Sequence, residues 1–169
     1  MALIDVGAAA IDRTSDCNNG ITYVTLDNPA NAAGIISAVE IYAFNEISSA
    51  KIGSFVVNGG DPTKYTCRDY SIFLYSIYAG LNTIITNFVI AVGDYIGIVF
   101  AGPGTAKIEY GIGGADVYFK SGDQFDAGEQ TYALMGAGSM ISLHGKGFTP
   151  GVGKGQGSTS SGLLGATLI

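Results

Sequence analysis

Between Gly20 and Leu143 the chain is a succession of short β-branched and aromatic runs, each broken by Gly, Asn, Asp or Pro after about 8–12 residues, the spacing of all-β sandwiches and barrels. Ile36 to Phe44 is the clearest strand. Val39, Ile41 and Ala43 fall on one face and Ala38, Glu40 and Tyr42 on the other. Further runs at 22–26, 52–57, 65–78, 83–92, 95–100, 106–110, 117–120, 130–134 and 139–144 bring the count to about ten strands, and no long helix is expected. The expected fold is all-β, a two-sheet antiparallel β-sandwich of jelly-roll type with flexible terminal arms. Its core should include Val39, Ile41, Phe55, Phe88, Ile90, Ile96, Ile98 and Val117. An immunoglobulin-like sandwich is the alternative; it usually has fewer strands and, in antibody-type domains, a buried Trp, which this chain lacks.

The 169 residues suffice for one domain. Residues 1–19 read as an N-terminal arm or edge strand, 20–144 as the β-sandwich domain and 145–169 as a Gly/Ser-rich C-terminal arm. That last stretch holds eight glycines, Lys146 and Lys154 and no acid, and it ends in apolar residues. A linker over 145–162 has an r.m.s. reach of about 20–25 Å, which makes Leu163, Leu164, Leu168 and Ile169 the partner-binding end of a docking arm.

Only 13% of residues are charged, about half the usual share, and the formal net charge is −6. Without a basic run, nucleic acid is not an expected partner. Thr83 to Ala101 is the most hydrophobic stretch, but Asn87 and Asp94 interrupt it, so it reads as two buried strands around a Gly93-Asp94 turn and not as a membrane span. Asp5 breaks the apolar start that a secretory leader would need, so none is expected.

Catalysis by paired carboxylates requires two acids converging in a cleft. Asp94, Asp116, Asp123 and Asp126 are candidates, but nearly all sit beside glycine in turns and read as solvated turn residues. Asp123 and Asp126 could furnish oxygens for calcium, although the EF-hand spacing is absent. His144, the one histidine, stands at the end of a strand and reads as a surface or interface residue, not a general base. Cys17 and Cys67 make neither a disulfide framework nor, with one histidine, a zinc set; in a reducing compartment both should be free, at least one of them in the core. No enzyme activity and no cofactor is expected. Ten tyrosines and eight phenylalanines leave a carbohydrate-binding, lectin-like module as the rival reading.

Asn28-Pro29-Ala30-Asn31-Ala32 with the following 34–43, Thr66-Cys67-Arg68-Asp69, and Val92-Gly93-Asp94-Tyr95-Ile96-Gly97-Ile98 resemble a group of uncharacterised single-domain β-sandwich proteins from phage and environmental sequences. The resemblance covers about Thr22 to Leu143, and its motifs are structural: a turn, a strand and a tight hairpin. It implies a virion-associated jelly roll, similar to head decoration or virion accessory proteins of tailed phages, and it carries over no functional residue. On that analogy the chain is expected to be a cement subunit assembled in the host cytoplasm. It would form a homo-oligomer, a trimer by class analogy, on the major capsid or another virion protein.

Overall fold

The computed structural model describes residues 2–104 and 106–151. Among these there are fourteen strands and no helix: β1 Leu3–Gly7, β2 Ser15–Asn18, β3 Ile21–Thr25, β4 Gly34–Ala43, β5 Ser49–Val57, β6 Lys64–Phe73, β7 Gly80–Ile90, β8 Tyr95–Ala101, β9 Lys107–Ile112, β10 Val117–Ser121, β11 Gln130–Thr131, β12 Ala133–Gly136, β13 Ser139–Ile141 and β14 Leu143–Phe148. They form two seven-stranded antiparallel sheets. The first runs β1-β14-β4-β9-β13, with β7 on β4 and β2 on β9; the second runs β11-β6-β5-β8-β3-β10-β12. This is an all-β, sandwich-like architecture. The strand orders establish the two sheets but not the jelly-roll path.

The second sheet nearly closes into a barrel. β11 pairs with β6 at one end of the order and β12 with β10 at the other, and one residue, Tyr132, separates β11 from β12. Strands inside such a sheet are covered twice, by the other sheet and by the barrel lumen. β3 and β8 are accordingly buried at nearly every position, and Tyr95–Phe100 reads as an unbroken apolar run instead of alternating. Ile96, Ile98 and Phe100 point to the core between the sheets, while Val24 and Val99 join Phe55, Tyr65, Phe125 and Tyr132 in the barrel interior. Lumen space is tight: a Cβ at Gly97 would stand 2.5 Å from the Phe55 ring. All eight expected core residues are buried, Phe55 in the barrel and the rest between the sheets.

Of the two readings of residues 1–19, arm or edge strand, the structure has the second: β1 on β14 and β2 on β9 are edge strands that bury Ile4, Val6 and Cys17. Two other features differ from the sequence reading. The sandwich continues past His144, because Gly145 to Phe148 pair with β4 on one side and with β1 on the other. Gly145 is a close-approach residue here and not a linker residue, since a Cβ on it would come within 2.8 Å of Val6. Finally, Gly93-Asp94 does not turn a hairpin. β7 belongs to the first sheet and β8 to the second, so the turn is a corner where the chain changes sheets.

Candidate functional site

The titratable groups are best taken by position. Asp94 is not solvated. It is buried in the inter-sheet corner, where its carboxylate receives Arg68 Nε at 2.6 Å and Nη2 at 3.1 Å and accepts the Ala91 N–H at 2.9 Å. Arg68 reaches it from a β-bulge, as the extra residue between the pairs Ser54↔Asp69 and Phe55↔Cys67. Asp116 holds a positive φ of 101° and accepts the Gly138 N–H. Asp123 and Asp126 do converge, but on Lys51: its Nζ stands 2.7 Å from Asp123 and 3.0 Å from Asp126, and 5.1 Å above the Tyr70 ring. The ammonium takes the place that a cation would occupy. Among the described residues no group of three His, Cys, Asp or Glu is arranged to hold a metal.

His144 lies on the outer face of the first sheet, where the register sets it beside Glu40 of β4. Its Nε2 pairs with Asp5 of β1, and its Nδ1 stands 3.5 Å from Glu40, which also holds Lys146 at 2.6 Å. The Lys146 hydrogen bond, with His144, keeps Glu40 below the ordinary carboxylate range. The cluster ties β1, β14 and β4 together through these pairs. Cys17 and Cys67 are free. Burial raises both thiols, Cys67 to about 12, so neither is a thiolate nucleophile at neutral pH. Among the described residues every buried side-chain nitrogen and oxygen has a hydrogen-bond partner.

Glu109 offers a pH test. It is buried on β9 and accepts the Arg13 N–H at 3.0 Å, and burial, followed by Asp12 and Asp16, raises its pKa above the ordinary value despite that bond. The folded state therefore holds the Glu109 proton more tightly than the unfolded chain, so ionisation costs stability at neutral pH. That cost shrinks as pH falls below the folded-state pKa and is gone below the unfolded one. Glu109→Gln keeps an acceptor for Arg13 and removes the charge. It is expected to raise the melting temperature at pH 7 by about 1–3 °C and to melt with the parent near pH 4, as scanning calorimetry would show.

The aromatic residues are mostly spent on packing. Tyr65 contacts Tyr95, Tyr118 and Tyr132 at ring centroid distances of 5.3–6.4 Å, and Phe125 packs on Phe55 and Tyr70, all in or around the barrel. The tyrosines more than half exposed are Tyr75 and Tyr78.

These two tyrosines belong to a run of exposed apolar residues along β6, β7 and their connection. β7 is an edge strand of the first sheet; Ile84, Thr86, Phe88 and Ile90 face the core, while Leu81, Ile85 and Val89 stand on the opposite, open face. β6 runs alongside: the Asn87 N–H donates to Ser71 Oγ at 3.1 Å, and the Val89 N–H to Asp69 Oδ2 at 2.7 Å. Leu74, Tyr75 and Tyr78 follow in the β6–β7 connection. Exposures reach 82% at Leu74, 77% at Ile85 and 67% at Tyr78. Between Asp69 and Asp94 the sequence has no Asp, Glu, Lys, Arg or His, so this segment brings no charge of its own; Asp69, on the Val89 N–H, and Glu40, across from Thr83, border it. An open groove of about 290 Å³ adjoins it, with Ile72, Leu74 and Phe100 in its wall and the Lys51–Asp123 pair at its rim. The expected docking residues Leu163, Leu164, Leu168 and Ile169 lie outside the described residues.

No family model, curated protein or solved structure matches the chain.

Proposed function

We propose that the protein is a structural assembly subunit, a capsid decoration (cement) protein of a tailed phage that adds contacts between neighbouring particle subunits and carries out no turnover. The observation that supports this reading is the apolar β6–β7 edge with its exposed Leu74, Tyr78 and Ile85. Water-exposed apolar area of this extent is costly for a free monomer and useful to a part that is covered on assembly. The candidate acids and the histidine are committed to ion pairs and backbone bonds, which favours contact over chemistry as the work of the surface. The phage assignment rests on the resemblance in 28–43, 66–69 and 92–98. In this reading Leu163, Leu164, Leu168 and Ile169 form a second contact, an arm that docks on the major capsid or another virion protein. The subunit is a homo-oligomer made in the host cytoplasm.

The test is co-sedimentation of the purified chain with particles of the phage that encodes it, assembled without this subunit. The full chain is expected to pellet with particles to a fixed stoichiometry, and a chain ended at Gly151 to bind at least about tenfold more weakly, since burying several Leu and Ile side chains is worth more than about 1.4 kcal/mol. A full chain left in the supernatant overturns the decoration reading, and equal binding by the shortened chain removes the arm. Tyr75- and Tyr78-dependent capture on a glycan array would replace the reading by a lectin-like one.

A further inference from the structure

We propose that the β6–β7 edge packs against the same edge of a second copy of this chain, in a two-fold contact made by side chains and not by strand addition. The inference rests on the assembly reading and names the partner at its surface. Charge points to a second copy. The chain carries −6 overall, so copies that approach through most of their surfaces meet like charge, whereas the segment between Asp69 and Asp94 adds none of its own and the Glu40 beside it is paired with Lys146.

Area points the same way. The exposed parts of Leu74, Tyr75, Tyr78, Leu81, Ile85 and Val89 together come to several hundred Å², on the order of the roughly 800 Å² that is one partner's share of a standard interface. The backbone decides the mode of contact. The outward N–H groups of Asn87 and Val89 are already taken by Ser71 and Asp69, so another strand cannot pair with this part of β7. Apolar side chains on a patch that is its own complement give an isologous, closed contact instead of a growing sheet. The axis is then two-fold, in place of the three-fold suggested by class analogy.

Sedimentation equilibrium of the full chain, at roughly 1–100 μM, reads this directly against the 17.3 kDa of one copy. The intact protein is expected at twice that mass. Ile85→Asp and Leu74→Asp place a like charge in the contact at sites too exposed to disturb the fold. Each should weaken association at least about 100-fold and give single-copy mass, with an unchanged circular dichroism spectrum. Ile112→Asp, at an exposed site on β9 in the same first sheet, should leave the mass at two copies. A monomeric intact protein overturns the proposal, as do face variants that keep the doubled mass or an Ile112 variant that loses it. A monomer that still binds its particle overturns this contact and leaves the decoration reading standing. A dimer that binds no particle does the reverse.

Discussion

Phe55→Ala is expected to lower the melting temperature by about 10 °C or more, a larger loss than truncation at the sheet corner or on the surface should cause. Phe55 is fully buried in the lumen of the second sheet, with Phe125 at 5.1 Å and Tyr132 at 6.4 Å, both edge-on, and with its ring over Gly97. Truncation removes the transfer energy of the ring and leaves a hole walled by the hydrogen-bonded strands of a nearly closed sheet, so relaxation is limited. The cost should fall near the top of the range of about 3–5 kcal/mol for such changes, at roughly 2–4 °C per kcal/mol for a chain of this size. Ile72→Ala, at a half-exposed site on neighbouring β6, should stay within about 0.5 kcal/mol of the parent. A loss below about 1 kcal/mol for Phe55→Ala would mean that the lumen is not packed as described.

The second large effect is expected at the inter-sheet corner. Asp94→Ala removes both bonds to Arg68 and the acceptor for the Ala91 N–H, in a turn that also receives the Ala30 N–H on the Asp94 carbonyl. Because Arg68 is itself partly exposed, its stranded charge is solvated in part, and the cost should be about 2–3 kcal/mol, less than for a fully buried pair. A double-mutant cycle with Arg68→Ala should return a coupling of about 1 kcal/mol or more. Asp123→Ala, at an exposed aspartate on Lys51, should cost less than about 1 kcal/mol. Equal costs at Asp94 and Asp123 would contradict the division drawn between them.

That division shows where the sequence stops being informative. Asp94 and Asp123 share a local signature, a glycine before an aspartate in a turn, and what separates them is Arg68, 26 residues away from Asp94 on a bulge that no local pattern announces. Alternation is local, so Val39, Ile41 and Ala43 could be placed on the inner face of β4 from spacing alone. Barrel closure is not local. It rests on a two-residue and a four-residue strand, one pairing Gln130 with Tyr65, too short to carry a period. Gly145 fits a linker by composition, and only the proximity of Val6 shows that it fills a narrow place in a sheet.

The candidate surface was half legible. The uncharged stretch from Tyr70 to Gly93 is visible in the sequence, but its most hydrophobic part, from Thr83 on, reads there as a buried strand. The fold adds that β7 lies at a sheet edge, which turns Leu81, Ile85 and Val89 toward solvent. Tyrosine abundance misleads in the opposite direction, since Tyr65, Tyr118 and Tyr132 line a lumen and leave Tyr75 and Tyr78 as the most exposed.

Whether the β6–β7 edge is the working surface can be read residue by residue from hydroxyl-radical footprinting of the protein, first dilute and then associated. Leu74, Tyr78 and Ile85 are matched in exposure by Ile112 at 68%, which lies on β9 and serves as the internal reference. Oxidation of Leu74, Tyr78 and Ile85 is expected to fall several-fold on association while Ile112 keeps its dilute rate. Protection confined to Ile112, or unchanged oxidation of Leu74, Tyr78 and Ile85 in the associated state, would show that the edge is not the surface through which this protein assembles.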